Sequence, residues 1–286
     1  MVNKMNCEAC DNKTNFKLFL HSKKHHPNLY SCNNCGLIFA DPQLDKEFEI
    51  VPKKILSDSE YRARFKNFDL RLNKIKPFIN PYISNDLLDI GCGDGIFLKL
   101  LNDKNYNVIG VEPSKESAEH IQNKFEVKVI NDFFENIKFE KQFSLITMFN
   151  VLEHTKSLKK NFHKIHNLLN HDGLFVFEVP YIFTLQSKIS FGFWHHFEID
   201  HNWFLNKNNI SYLSKKMGFK VLYISFIPKI VCLSKIFDGL LTRTVYMHLS
   251  RDSYMLFRKS FIYKIMNKID IKINIKDYLF VILQKV

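Results

Sequence analysis

The chain lacks any stretch of eighteen or more consecutive apolar residues, and its start carries no cleavable leader pattern. A bilayer-spanning helix needs about 20 such residues, so no membrane span is expected. Cysteine is scarce, with six in 286 residues, and four of the six fall into two C-x-x-C pairs. That pattern argues against a disulfide framework and for a metal in a reducing, cytoplasmic setting. Glycine is also scarce, with nine in all, yet Gly91, Gly93 and Gly95 crowd into one short stretch. There is no internal repeat and no low-complexity tract. The length suits one α/β domain plus a small module, and a hydrophobic fraction of 46% is enough for a real core.

Acidic residues are outnumbered, 29 against 41 Lys and Arg, for a net charge of +12. Residues 226–286 hold eleven of the basic residues and four of the acidic ones. Such a tail can meet nucleic acid, an anionic membrane surface or a phosphorylated substrate. It can equally be a plain solvated surface.

The stretch around which the chain is organised is Leu87-Leu-Asp-Ile-Gly91-Cys-Gly93-Asp-Gly95. Leu87 to Ile90 read as the end of a buried strand. Three glycines then form a turn, and Ile96, Leu100 and Leu101 open a helical apolar stripe. Strand, glycine turn and helix together bring bare backbone against a nucleotide, where a Cβ would obstruct. The spacing is G-x-G-x-G, and Ile96 stands where a dinucleotide fingerprint would place its third glycine.

Cys7-Glu-Ala-Cys10 and Cys32-Asn-Asn-Cys35 form the first unit, residues 1–45. Two such knuckles at this spacing supply the four thiolates of a tetrahedral zinc. Phe16–Leu20 and Asn28–Tyr30 read as its short strands, giving a zinc ribbon. Four thiolates leave no open position, so the zinc would be structural. Four reduced cysteines without metal are the alternative. His21, His25 and His26 lie between the knuckles and read as exposed loop residues.

Residues 46–80 read as a helical connector, with Tyr61, Phe65, Phe68 and Leu72 at helical spacing. Residues 81–286 then alternate strands and helices. Strands are expected at Leu87–Ile90, Asn107–Val111, Val127–Ile130, Phe143–Met148, Gly173–Val179, Phe219–Ser225 and Tyr278–Leu283. Helices are expected around Leu158–Leu169 and Ile210–Met217. This alternation implies a doubly wound, mostly parallel sheet, whose ligand sits at the carboxyl ends of the strands. Asp89, Glu112, Asp132 and Asn150 fall at such ends. Each, taken alone, is as readily a loop carboxylate or a helix cap.

The glycine stretch resembles motif I of the class I S-adenosylmethionine-dependent methyltransferases, and Phe149-Asn-Val-Leu-Glu-His154 resembles their post-strand h-V-L-E-H motif. The resemblance implies a Rossmann-like class I methyltransferase fold, closed by a hairpin of the sixth and seventh strands, with residues 226–275 as a basic insertion in that hairpin. It implies S-adenosylmethionine as cofactor. Asp89 and the backbone of Gly91, Gly93 and Gly95 would face its methionine part. Glu112 would accept from the ribose hydroxyls, Asp132 from the adenine amino group, and Asn150 would lie beside the sulfonium.

The four-cysteine module together with Glu178-Val-Pro-Tyr181 and His201-Asn-Trp-Phe204 is similar to the zinc-containing sugar methyltransferases. That likeness implies a small-molecule, sugar-containing acceptor methylated on oxygen or carbon. Other readings are a ribosomal RNA or nucleic-acid methyltransferase, a natural-product N- or O-methyltransferase, and a non-catalytic cofactor-binding protein. The segment Phe193-Trp-His-His-Phe-Glu-Ile-Asp-His-Asn-Trp-Phe204 follows the fifth strand and holds the candidate base. His201 is assigned that role, with Glu198 or His196 orienting or replacing it, because imidazole titrates near neutral pH. A satisfied aromatic-histidine loop is the alternative.

Overall fold

The computed structural model describes residues 6–13, 16–21, 27–43, 56–80, 82, 84–184, 198, 200–245 and 256–286. Its N-terminal unit contains β1 (Phe16–Leu20), β2 (Asn28–Cys32) and β3 (Ile38–Asp41), paired antiparallel in that order. Helix α1 (Asp58–Ile75) follows. It is started by a reciprocal cap between Ser57 and Glu60; residues 46–55 of the expected connector lie outside the described residues.

The main sheet contains β4 (Asp86–Ile90), β5 (Asn107–Val111), β6 (Lys128–Ile130), β7 (Phe143–Phe149) and β8 (Leu169–Pro180). Helices α2 (Ile96–Asn102), α3 (Lys115–Phe125) and α4 (Leu158–Leu168) connect them. All five strands run parallel, β4 pairing with both β5 and β7. A two-residue strand β9 (Trp203–Phe204) and helix α5 (Lys207–Lys216) lead to β10 (Phe219–Ser225). The chain then leaves the sheet for β11 (Lys229–Cys232), α6 (Leu233–Val245), α7 (Phe261–Met266) and β12 (Asp270–Ile273), and returns as β13 (Tyr278–Lys285). Strand β13 inserts antiparallel between β8 and β10, so the sheet order is β10-β13-β8-β7-β4-β5-β6. The expected fold class, a doubly wound, mostly parallel sheet with an appended cysteine module, is what the structure shows.

Side chains alternate across this sheet. Leu88, Ile90, Ile146 and Met148 enter one core with α4, α5 and the cysteine module. Leu87, Leu145 and Val176 enter the other with α1, α2 and α3. Both faces are therefore covered, as parallel strands require.

Two features of the architecture are not visible in the sequence. The cysteine unit is not a free-standing module: β3 pairs with β9, Ala40 N–H donates to the Asn202 carbonyl at 3.0 Å, and Asn206 Nδ2 donates to the Gly36 carbonyl at 2.9 Å. The basic insertion is not a loose tail either. Its β11–β12 hairpin lies on α1, where Asn67 exchanges two hydrogen bonds with the Ile230 backbone at 2.7 and 2.8 Å. Asp270 accepts from both Arg62 and Lys66, at 2.9 Å in each case. Among the described residues no helix is long and apolar enough to cross a membrane.

Candidate functional site

Strand β4 ends at Ile90, and the turn that follows is fixed from the neighbouring strand. Gly91 and Cys92 N–H both donate to the Val111 carbonyl, at 2.8 and 3.1 Å. A Cβ on Gly91 would lie 2.3 Å from a Val151 methyl, and Gly95 has φ +72° where it starts α2. The first position admits only glycine for lack of space, and the second favours it for its backbone. The turn therefore brings backbone without a Cβ to the start of α2, with the Gly91, Cys92 and Gly93 N–H groups held by Val111 and Glu112.

Glu112 ends β5 and is buried. One carboxylate oxygen accepts from Gly93 N–H at 2.8 Å and the other from Ser114 N–H at 3.1 Å. A carboxylate has about four acceptor positions, so both oxygens keep capacity for ribose hydroxyls. Glu112 thus holds the glycine turn, a role that spacing does not reveal. Asp132 follows β6 and accepts from Phe133 N–H at 2.7 Å and Asn136 Nδ2 at 2.8 Å. Asp89 is buried and accepts from the Thr147 hydroxyl at 2.6 Å. Asn150 has φ +56°, and its N–H donates to the Glu178 carbonyl at 2.9 Å.

A cavity of about 560 Å³ opens at these strand ends. Asp89, Gly91 and Asn150 line it, whereas Gly93, Gly95, Glu112 and Asp132 are absent from its wall. Helix α1 contributes Asn67 and Arg71, and the inserted hairpin contributes Lys229. The connector helix and the insertion together form the wall opposite the glycine turn.

Sequence reasoning missed the ion pair on that wall. Arg71 holds Glu178 in a bidentate grip at 2.8 and 2.6 Å. Glu178 stands out in the sequence only within the Glu178-Val-Pro-Tyr181 run that closes a strand, and nothing in Arg71 itself marks it as its partner 107 positions away. Near this pair, desolvation pulls the Lys229 ammonium below its ordinary value. Burial, with the charges of Glu178 and Glu153, holds the Tyr278 phenol above its own.

The histidine segment sits to one side. His201 is buried, 4% exposed, and is not part of the cavity wall. Glu198 is exposed, with its Oε2 3.9 Å from His201 Nε2. His196, the third member of the expected trio, lies outside the described residues, as do His25, His26 and His195. The structure also brings His201 to Glu153 and His154 of the E-H motif. The two imidazole centroids are 4.6 Å apart and nearly perpendicular. His154 Nδ1 lies 3.2 Å from Asp200. Burial pushes the Glu153 carboxyl up to about 7.

The four cysteines meet. Cys7 and Cys35 sulfurs are 3.6 Å apart, as are those of Cys10 and Cys32, and all four lie within 4.8 Å of one another. A tetrahedral zinc with Zn–S bonds of about 2.3 Å sets its sulfurs about 3.8 Å apart. The cluster therefore fits the ion.

Residues 57–224, more than half of the chain, match the family described as a methyltransferase domain. The chain belongs to this methyltransferase family. Among solved structures, an S-adenosylmethionine-dependent methyltransferase from Clostridium acetobutylicum superposes with a TM-score of 0.51 at 17% identity, over 80% of this chain and 93% of the other. A SAM-dependent methyltransferase from Archaeoglobus fulgidus gives 0.50 at 17% identity, over 80% and 97%. At such identities the likeness is one of fold. A ubiquinone biosynthesis O-methyltransferase of Rickettsia bellii is 24% identical over 112 residues, 36% of this chain and 47% of its own length. An uncharacterized protein of Methanocaldococcus jannaschii is 35% identical over 105 residues, 35% of this chain and 39% of its own length. The chain thus spans less than half the length of these curated relatives.

Proposed function

We propose that this family member is an S-adenosylmethionine-dependent methyltransferase acting on a small, sugar-containing acceptor of a nucleotide-sugar, surface-polysaccharide or glycolipid pathway. One observation carries the reading: a glycine turn held by Glu112 stands directly beside a cavity roofed by α1 and the inserted hairpin. Bound at the turn, the cofactor supplies an electrophilic methyl group. The backbone of Gly91 to Gly95 and Asp89 hold its amino-acid part, Glu112 its ribose, and Asp132 its adenine. Asn150 orients the reacting end, because its left-handed backbone turns the chain at the end of β7.

The acceptor enters the side of the cavity formed by α1 and the hairpin. A volume of about 560 Å³ lies within the usual range of about 300–1,000 Å³ for small-molecule sites. A wall carrying Asn67, Arg71, Glu178 and Lys229 suits a hydroxyl-rich molecule better than an apolar one. The R. bellii relative is an O-methyltransferase by its printed name, which favours oxygen as the methylated atom. Removal of the acceptor's proton is assigned to the histidine cluster, with His201 as its innermost member. The four cysteines bind one structural zinc, and the reduced thiols fit a cytoplasmic enzyme.

The insertion is tied to α1 by Asp270 with Arg62 and Lys66 and by Lys235 with Glu60, which supports a structural role for it. The test is methyl transfer from a labelled donor to separated pools of nucleotide sugars, glycolipids and RNA. Label in a sugar-containing pool is expected. Label in RNA alone would overturn the acceptor assignment.

A further inference from the structure

Beside the cavity, two chain segments bring three metal-ligating side chains together. Glu153, His154 and His201 each offer one donor atom, and these atoms lie within 4.8 Å of one another. His201 also belongs to a second such group with Glu198 and Asp200. We propose that Glu153, His154 and His201 bind one divalent cation, with Asp200 or Glu198 available as a further carboxylate donor.

The Glu153 side chain motivates the assignment first. It is 1% exposed, and its Oε2 has no hydrogen-bond partner among the described residues. A carboxylate oxygen buried without a donor is costly, and native structures rarely tolerate one. A cation between the carboxylate and two imidazoles removes that cost.

The scaffold is a second, independent reason. The two segments are joined by hydrogen bonds to backbone carbonyls, not through the metal-donor atoms. Asn202 N–H donates to the Glu153 carbonyl at 2.8 Å, Asn202 Nδ2 to the His154 carbonyl at 3.1 Å, and Trp203 Nε1 to the Thr155 carbonyl at 2.6 Å. Positioning therefore does not depend on the metal. Donors on one cation at about 2.0–2.2 Å lie no more than about 4.4 Å apart, so small side-chain rotations close the set. Two imidazoles and a carboxylate suit zinc, manganese, iron or cobalt and leave open coordination positions. The four-thiolate cluster is closed and soft, so the two sites differ in kind.

The role of the cation rests on the methyltransferase reading, although its binding does not. Asn150, on the cavity wall, is three residues from Glu153. An open coordination position there would take an oxygen of the acceptor. An acceptor hydroxyl on the cation would lose its proton more readily, so His201 would serve proton removal as a ligand of the cation.

The test uses the full chain with its cysteine site loaded with zinc, titrated with Mn²⁺ and followed by the loss of the free-ion electron paramagnetic resonance signal. One Mn²⁺ per chain is expected. Glu153→Gln and His154→Asn should each weaken binding by roughly tenfold or more. Co²⁺ at the same site should show weak d–d bands without sulfur charge transfer. S-adenosylmethionine binding, measured on the same samples, reports folding separately, and His201→Gln serves where another variant does not fold. Wild-type protein that binds the cofactor but neither Mn²⁺ nor Co²⁺ overturns the metal site and leaves the methyltransferase reading standing. Metal binding untouched by the variants overturns it as well. Metal binding without cofactor binding overturns the methyltransferase reading instead.

Discussion

Arg71 and Glu178 meet across the cavity with two parallel hydrogen bonds, 2.8 Å from Nε and 2.6 Å from Nη2. Their side chains are 14% and 3% exposed. The pair joins α1 to the end of β8, so it sets how the roof sits on the sheet. Removing one partner leaves the other buried and unpaired, at a cost of about 3–5 kcal/mol. Arg71→Met and Glu178→Gln should each lower the stability measured by urea unfolding. The double variant should lose clearly less than the sum of the two. Strict additivity would mean that the pair does not act as a unit.

The hairpin clasp should weaken in acid. Hydrogen bonds from Arg62, and then Lys66, hold the Asp270 carboxyl down at about 2 against an ordinary 3.8. A carboxyl lowered in the folded state stabilises above its unfolded value, and that contribution is lost as pH falls through the folded one. The stability difference between wild type and Asp270→Asn should therefore be full above about pH 4 and shrink towards pH 2. A difference that stays constant over this window would contradict the assignment.

Zinc removal should reach beyond the cysteine module. Metal analysis should find about one zinc held by the four cysteines of each chain, lost in Cys32→Ser, as a closed four-thiolate site requires. Because β3 pairs with β9, the loss should also release Trp203 and Phe204. Hydrogen exchange should show faster amides at both places. Protein that is fully folded yet metal-free as purified would refute the zinc site.

His201→Ala should lose turnover while keeping cofactor affinity, because His201 lies away from the glycine turn and beside Glu153. A proton-handling group contributes about 10²–10⁴-fold. Unaltered turnover, measured where the chemical step limits the rate, would remove the cluster from the reaction.

Much of the fold was legible because its signals are local. The second and sixth strands fall on Asn107–Val111 and Phe219–Ser225, where the apolar runs and their flanking turns placed them. The glycine turn and the cysteine knuckles each carry their chemistry within a few residues. Short pairings such as β3 with β9 left no trace, since two or four residues hold no periodic pattern. The same holds for partners distant in sequence. Asn67 gives no sign that it will meet Ile230, and the E-H motif does not announce that Glu153 and His154 will pack on His201. The roof of the cavity and the surroundings of the histidines are long-range properties. The cofactor side, built from the ends of consecutive strands, is not.

Cofactor binding at the glycine turn underlies the methyltransferase reading, and calorimetry of S-adenosylmethionine with wild type and Glu112→Ala measures it most directly. Glu112 holds Gly93 N–H at 2.8 Å, and in the proposed site it accepts from the ribose hydroxyls. Its loss should cost about 1.5–3 kcal/mol of binding, roughly 10- to 150-fold in affinity. Wild-type binding with that loss in the variant is the predicted result; equal affinity in the two proteins, or no binding by a folded wild type, would contradict the account.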